Sequence, residues 1–355
     1  IEVLESKATI GDTTWHVRPS NIIYSKNHLE VRNFAIQHDK QYLAINGTAT
    51  KNAEDTLHID LNDINVSYIL NLVNFHSVEF SGAASGHGYL AGLFADTPKT
   101  GADLTVKDFR FENGRMGTLY AHVGYNDTEG RIEIDAKAKD EGDRSTIING
   151  YVSPRHNYID LGIQANNTRA EFMESFCNSF MDNVNADING TVNVVGPLNN
   201  INLVGKAEVN GSVRISSLNT TYWMRGDSVC FIPDEIKFLG DTIYDRNGNI
   251  GILTGSVYHK HLTNLSYDLN IEAHNLLAYD THTFGDNTFY GTAYTTGECY
   301  IKGKSGEVTI DIQATPNANS ILVYNVTDRN ELSNQEFIQW REHPSPSDST
   351  DIAAS

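Results

Sequence analysis

The chain has 355 residues, and its 45 acidic against 26 basic side chains give a formal net charge of −19. This balance disfavours nucleic acid as a partner, because phosphate binding needs an excess of Lys and Arg, and it disfavours adsorption of the whole surface to anionic membranes. The sequence has three cysteines, Cys177, Cys230 and Cys299, which are widely spaced and form no CxxC motif. We therefore predict neither a disulfide framework nor a zinc site, and interpret the cysteines as small buried apolar side chains.

The ends of the sequence indicate a piece of a larger protein. The chain begins without a methionine, at IEVLESKATIG, and closes on the polar SPSDSTDIAAS. It contains no run of eighteen apolar residues, and its first residues lack the form of a signal peptide. We expect any membrane anchor or targeting segment to lie outside it, and the tail over residues 327–355 to be poorly ordered or dependent on missing neighbours.

Alternating apolar and polar residues dominate the chain. Such alternation places every second side chain on one face of a strand. Loose copies are LEVRNFAI from Leu29 and LHIDLND from Leu57. The regular copies, in chain order, are IEIDAKA (132–138), IDLGIQA (159–165), YDLNIEA (267–273) and VTIDIQA (308–314).

The segment DINGTVNVVGPLNNINLVGKAEVNGSVRI, from Asp187 to Ile215, predicts a hairpin with one apolar and one polar face. Asn-Gly pairs such as Asn113-Gly114 and Asn247-Gly248 are typical of tight turns. Asn189-Gly190 and Asn210-Gly211 lie inside alternating arms, where bulges or bends are equally plausible. At roughly 10 to 14 residues per strand and turn, we predict about 25 strands over residues 1–326.

Two stretches break the alternation. DINVSYILNLVNF, from Asp63, predicts a helical insertion near residues 65–75. NTRAEFMESFCNSFMDNV predicts an amphipathic helix over residues 168–184, with Thr168 and Glu171 as a capping box. Its apolar stripe contains, at every fourth position, Phe172, Phe176, Phe180 and Val184. We expect this stripe to pack on the apolar face or end of the sheet, or to plug a groove.

Catalytic and metal-binding candidates are weak. SGAASGHG, from Ser81 to Gly88, is not a nucleophile elbow, and we interpret it as a loop or a closely approached strand. DRNGN, from Asp245, resembles the start of a calcium loop, but Ile250 stands where that loop needs glycine, so a hairpin tip is favoured. His259 and His261 have metal-compatible spacing without an identifiable third ligand, and a solvated pair is the preferred interpretation. We predict no enzyme activity, no cofactor and no metal.

A sheet with one apolar face must cover it by forming a sandwich, a solenoid or a curled groove. About 25 strands exceed what one open twisted sheet usually tolerates without curling. The motif copies start at irregular spacings, which disfavours a solenoid. We predict an all-β fold: an elongated, strongly curled antiparallel sheet with one or two short amphipathic helices.

Two stretches, from Phe238 to Val326 and from Val184 to Ile215, carry a resemblance to the TamB translocation and assembly family of diderm bacteria. The first contains FLGDTIYDRNGNIGILTGSVYHKHLTNLSYDLNIEAHNLLAYDT, and the second has the pattern G-x-[VL]-x-[VL]-x-G-P-L followed by LxGxAxVxG. The resemblance is closest over about Asp187 to Val326 and looser, as strands in register, over Trp15 to Ala165. The resemblance implies a U-shaped, taco-like sheet in the periplasm with an apolar interior. It also implies phospholipid movement between the inner and outer membranes, or assembly of outer-membrane β-barrels with a barrel partner. The inner-membrane anchor and the segment meeting that partner are expected outside this sequence.

These inferences together predict a non-enzymatic lipid-transfer conduit whose apolar groove carries phospholipid acyl chains. The alternatives are a scaffold for assembling outer-membrane barrels, and a structural solenoid or adhesin with a filled interior. The predicted groove-lining residues are Ile132, Ile134, Ile188, Val192, Val194, Ile201, Leu203, Val209, Leu269, Ile271, Ile310 and Ile312.

Overall fold

The computed structural model describes residues 1–10, 13–68, 79–178, 180–260, 263–284, 288–304 and 307–325. These residues form 22 β-strands, one short α-helix, α1 (Met173–Cys177), and a helical turn at residues 66–68. The strands are β1 (Glu2–Val3), β2 (Ser6–Ile10), β3 (Thr13–Val17), β4 (Ser20–Ser25), β5 (His28–His38), β6 (Gln41–Ala49), β7 (Thr56–Asn65), β8 (Phe80–Ala91), β9 (Lys99–Phe111), β10 (Gly114–Asn126), β11 (Arg131–Lys139), β12 (Ser145–Ser153), β13 (Tyr158–Arg169), β14 (Met181–Pro197), β15 (Asn202–Ile215), β16 (Thr220–Ile232), β17 (Glu235–Tyr244), β18 (Ile250–Lys260), β19 (Thr263–Thr281), β20 (Phe289–Lys304), β21 (Glu307–Pro316) and β22 (Ile321–Tyr324).

All strands belong to one antiparallel sheet. From β5 to β20 each strand pairs with the next one in the chain. At the first end β3 and β4 share one edge of β5, and at the other end β21 and β22 share one edge of β20. No pairing of described residues joins the two ends, so the sheet is open. At about 4.8 Å per strand its ladder follows a contour of about 85 Å.

The predicted alternating segments all lie within strands, and the hairpin predicted at residues 187–215 is formed by β14 and β15. The strand number, 22 in the described residues, is slightly below the predicted value. Individual strands are longer than the estimate assumed, since β14 has 17 residues and β19 has 19.

One row of paired residues crosses the sheet from β3 to β21. Residues directly opposite each other in an antiparallel pair project from the same face, so the register identifies a continuous row. We call it the central row; it consists of Val17, Ile36, Leu43, Leu61, Gly86, Leu104, Ala121, Ala136, Ile148, Ile163, Val192, Gly205, Phe231, Ile236, Val257, Tyr267, Gly303 and Val308. Every member is aliphatic, aromatic or glycine. The face that carries it is the inner face.

The neighbouring row, one residue along each strand, belongs to the outer face and is polar from β7 to β12. Across six adjacent strands it contains Asp60, His87, Asp103, His122, Asp135 and Asn149. The imidazoles bond to adjacent carboxylates; Nδ1 of His122, for example, lies 2.7 Å from Oδ1 of Asp103. The two faces therefore differ sharply in polarity, as the alternation predicts.

Bulges bend the strands. Seven Asn or Asp residues inside strands adopt left-handed conformations, with φ between 48° and 59°, and each lies at a shift in register: Asn33, Asp63, Asp108, Asn167, Asn183, Asn264 and Asn275. A bulge of this kind bends a strand and increases its twist. Short polar side chains tolerate this conformation better than other non-glycine residues do.

Two of the Asn-Gly pairs serve these bulges rather than turns. The side-chain oxygen of Asn46 accepts the backbone N–H of Asn33 on the neighbouring strand, and Asn189 accepts that of Asn167 in the same way. The following glycine, at position 190, has a φ of +148°. A Cβ there would lie 2.4 Å from the carbonyl oxygen of Lys206, so the adjacent strand approaches more closely than a side chain allows.

Candidate functional site

The inner face is an open apolar surface rather than a filled core. Of the central row only two members, Val17 and Ala136, are buried, and Val308 is 51% exposed; the others are partly accessible. Three local clusters of buried side chains support this face. Their buried members are Val31, Ala49 and Leu57 in the first, Ala84, Val106, Phe109 and Ala138 in the second, and Tyr222, Ile243, Ala273 and Leu276 in the third.

All twelve residues predicted to line a groove lie on the inner face. Ile134, Val194 and Leu203 belong to a second inner-face row, two residues along each strand from the central row, and Val194 is the cross-strand partner of Leu203. Ile201, just before β15, is buried, whereas Ile310 and Ile312 on β21 are 45% and 61% exposed. The structure thus brings the predicted residues together on one continuous surface, which spans β11 to β21.

The inner face curls on itself. The rings of Phe180 and Tyr267 have centroids 5.6 Å apart. Phe180 immediately precedes β14, and Tyr267 lies on β19. These two strands are five positions apart in the ladder, a contour of about 24 Å. Tyr222 on β16 donates its hydroxyl to the carbonyl of Leu277 on β19 at 2.8 Å, across two intervening strands. Because Tyr222 and Tyr267 both project from the inner face, the curl is directed inward and makes this face the inside of a groove.

Helix α1 lies between β13 and β14 and is much shorter than predicted. Residues 168–169 belong to β13 and residues 181–184 to β14, so the helix is limited to Met173–Cys177. The predicted capping box is wrong: the hydroxyl of Thr168 bonds to Thr146 at 2.8 Å, and no side chain caps the helix. The reason is that β-ladder pairing of Thr168 with Ile188 competes successfully with helix formation.

Aromatic side chains of the α1 region nevertheless contact the inner face. The ring of Phe111 on β9 lies 5.2 Å from Phe172 and 6.4 Å from Phe176, between centroids. Val184 is buried in the first part of β14. Phe172, Phe176 and Phe180 together form a row of aromatic side chains across the groove, which we call the aromatic strap.

The first predicted insertion also reaches the inner face. Residues 66–68 form a helical turn at the end of β7, and the remainder, residues 69–78, lies outside the described part. The hydroxyl of Tyr68 is 3.1 Å from Oγ1 of Thr13, and its ring lies over the buried Trp15, with centroids 6.3 Å apart. Sequence reasoning missed this pair, because neither aromatic belongs to a regular alternating segment.

One interruption places charge on the inner face. Between Trp223–Tyr244 and Cys230–Lys237 the β16–β17 ladder has no paired residues. The carboxylate of Asp227 accepts the N–H of Thr242 at 3.0 Å within this gap, and Asp241, 5% exposed, accepts that of Leu239 at 3.2 Å. Burial raises the pKa of Asp241, and the neighbouring charge of Asp227 adds to the effect. The central row, at Phe231 and Ile236, continues beside the gap.

The turn residues Asp245 to Asn249 form a hairpin tip between β17 and β18, as predicted. The buried carboxylate of Asp245 accepts the backbone N–H groups of Asn247, Asn249 and Leu277 and thereby organises its own turn. At the same end of the sheet Asp280 is buried beside Arg246 and Thr292. Burial alone would raise the pKa of Asp280, but hydrogen bonds from Thr292 and Arg246 outweigh it and lower the pKa.

The remaining chemical candidates are structural. Ser81–Gly88 lies inside β8, where a Cβ at Gly86 would meet the carbonyl oxygen of Asp103 at 2.0 Å, so it is a closely approached strand. The prediction of a solvated pair is wrong for His259, which is 5% exposed; His261 lies outside the described residues. His259 lies two residues beyond Val257 on β18, so its imidazole projects from the inner face.

All three cysteines are free thiols. Cys177 is buried as predicted, and burial raises its pKa to about 11, while Cys230 and Cys299 are only partly buried. Over the described ranges, no group of three or more His, Cys, Asp or Glu side chains is placed to hold a metal ion. The same residues include no helix that is long and apolar enough to cross a membrane.

Comparison of the chain with protein-family models, with curated proteins and with solved structures finds no match. The function is therefore inferred from the sheet architecture and from the chemistry of the inner face.

Proposed function

We propose that this chain is a non-enzymatic segment of a lipid conduit, whose inner face carries phospholipid acyl chains. The observation that carries the proposal is the central row, in which eighteen successive strands contribute only aliphatic, aromatic or glycine residues. Most of these residues are partly accessible, so their surface is available to a hydrocarbon ligand.

The energetic benefit of such a surface is large. Moving two acyl chains of about 16 carbons through water costs on the order of 25 kcal/mol, at about 0.8 kcal/mol per methylene. The central row, which follows a contour of about 85 Å, removes most of that cost along its length. Following the resemblance to TamB proteins, we place the segment in the periplasm, between an inner-membrane anchor and an outer-membrane barrel partner that both lie outside this sequence.

The decisive test uses the cross-strand pair Val194 and Leu203. Replacing both with Glu places two charges on the inner face, and desolvating a charge costs several kcal/mol. Since 1.4 kcal/mol is a factor of ten, we expect at least about a hundredfold loss of acyl-chain binding, measured with a fluorescent fatty acid and by mass spectrometry of co-purified lipid.

The matched control shifts both substitutions by one residue, to Asn193→Glu and Val204→Glu. This pair is also cross-strand but projects from the outer face, so lipid binding should be retained. Equal loss in the two variants, or full binding by the inner-face variant, contradicts the conduit.

A second candidate is a scaffold for assembling outer-membrane β-barrels, and β21 favours it. This strand pairs only with β20 among the described strands and exposes Val308, Ile310 and Ile312. An exposed strand edge of this kind is a template for pairing with another polypeptide. Photocrosslinkers at Val194 and Ile310 separate the candidates, because lipid adducts support the conduit and barrel-strand adducts support the scaffold.

A further inference from the structure

A polar cleft of about 760 Å³ lies beside α1, outside the apolar groove. The α1 region contributes Glu174, Ser175 and Asn178, and the outer face of β14 and β15 contributes Asn185 and Ser212, which are cross-strand partners. We call it the amide cleft. Its volume falls in the range of small-molecule sites, about 300 to 1,000 Å³.

The amides of the cleft make no hydrogen bond to any other residue that the structure describes. Among the described residues, the side chains of Asn113, Asn178, Asn183, Asn185 and Ser212 make no hydrogen bond, although all five line the cleft. A primary amide offers two donors and an acceptor, and a hydroxyl offers both functions. Four amides and a hydroxyl that line one cleft and make no hydrogen bond to described residues suit a ligand whose own groups both donate and accept.

The charged groups of the cleft, in contrast, are already engaged. Arg214 donates to both carboxylate oxygens of Asp182, at 3.0 and 2.8 Å. Glu171 accepts from Arg169 at 3.3 Å, and Glu174 accepts the N–H of Val184 at 2.6 Å. An anionic phosphate would find no uncommitted cation here and would meet two carboxylates. A neutral ligand avoids both penalties.

We propose that the amide cleft binds a neutral, polyhydroxylated ligand, a saccharide. The position suggests how this ligand relates to the groove: Phe172 and Phe176 face Phe111 on the groove side of α1, while Glu174 and Asn178 face the cleft. An amphiphile with its acyl chain in the groove and a saccharide head group in the cleft satisfies both sides. This connection rests on the proposed conduit; saccharide binding by the cleft does not.

The test compares three probes by NMR of side-chain amide resonances: maltose, dodecyl maltoside below its critical micelle concentration, and dodecylphosphocholine. Maltose and the maltoside should perturb the cleft amides, whereas the phosphocholine should not. The variant Asn185→Val/Ser212→Val keeps β-forming residues and removes two hydrogen-bonding groups. It should bind about 25-fold more weakly, roughly fivefold for each lost bond. The control Asn193→Val, on the outer face of the same strand, should bind as the unmodified protein does.

The Val194→Glu/Leu203→Glu variant distinguishes the source of the saccharide and the fate of each proposal. If the maltoside binds more tightly than maltose and this variant abolishes the difference, the ligand is a lipid head group. Equal affinities that are insensitive to the variant indicate a free saccharide. If the maltoside still binds more tightly than maltose in this variant, the acyl chain contributes to binding without an apolar inner face. That result refutes the conduit but leaves the cleft proposal standing. The cleft proposal is overturned if neither sugar perturbs the amides, if dodecylphosphocholine does so equally, or if the Asn185→Val/Ser212→Val variant binds with unchanged affinity.

Discussion

The contact between Phe180 and Tyr267 is the most sensitive test of the inward curl. Without the curl the two residues would be separated by about 24 Å of ladder, and substitutions at such a distance have additive effects on stability. With their centroids 5.6 Å apart, an aromatic pair is expected to contribute about 0.5 to 1.5 kcal/mol beyond area burial. The variants Phe180→Ala and Tyr267→Ala should therefore show a coupling free energy of this size.

The assay is a double-mutant cycle on local stability, measured by hydrogen exchange of the Ser216 amide. This N–H donates to the carbonyl of Phe180 at 3.1 Å, so its protection reports opening at the required place. Phe172→Ala combined with Tyr267→Ala is the control, because Phe172 contacts Phe111 instead. A coupling near zero for Phe180 and Tyr267, or an equal coupling in the control pair, would refute an inwardly curled groove.

Four further predictions concern stability and reactivity. Burial raises the folded-state pKa of Asp241, so the ionised form of this residue destabilises the fold. The variant Asp241→Asn should therefore raise the midpoint of thermal unfolding at pH 7. This gain should shrink as the pH falls through the folded-state pKa, because the native carboxyl group then becomes neutral as well. Asp280 has a lowered pKa and should behave in the opposite way. The variant Asp280→Asn should lower the midpoint of thermal unfolding at pH 7, and this effect should disappear as acid protonates the native carboxylate. Matching pH profiles for the two variants would contradict the opposite pKa shifts of Asp241 and Asp280. Gly205→Ala should lower the free energy of unfolding by about 1 to 3 kcal/mol, measured by urea unfolding, since φ at Gly205 is +152° and the new Cβ would lie 2.2 Å from a carbonyl oxygen. The control Gly124→Ala, whose new Cβ would have its nearest neighbour at 3.7 Å, should be close to neutral. Equal losses in the two variants would argue against backbone strain at Gly205. Cys177, whose pKa is about 11 and whose side chain is buried, should be the last of the three thiols to react with a maleimide; early modification would show that the α1 region opens readily.

Asn-Gly pairs illustrate how far local patterns could be interpreted. Asn113-Gly114 and Asn247-Gly248 lie at turns, as their composition predicts. Asn46-Gly47 and Asn189-Gly190 lie within strands, where the asparagine accepts the N–H of a bulge on the adjacent strand. The same dipeptide thus serves two purposes, and only the identity of the neighbouring strand decides between them.

The helix over residues 168–184 was predicted incorrectly for a related reason. Its phenylalanines recur at helical spacing, but Thr168 and Val184 lie in strands of the sheet. The ladder hydrogen bonds of β13 and β14 come from residues distant in sequence, which a local periodicity cannot register. The spacing correctly selected apolar side chains that pack on the inner face, while the backbone conformation was set by strand pairing.

The sequence by itself determined the all-β class, the strand segments and the one-sided distribution of apolar residues, because alternation with period two is a local property of each strand. Only the tertiary structure decided that these apolar sides join into one row, since register depends on pairing between strands. It also decided the inward curl, which arises from bulges at positions such as Asn167 and Asn275 together with long-range contacts such as Phe180 with Tyr267. The amide cleft belongs to the same category: its asparagines come from separate segments, and only folding brings them together.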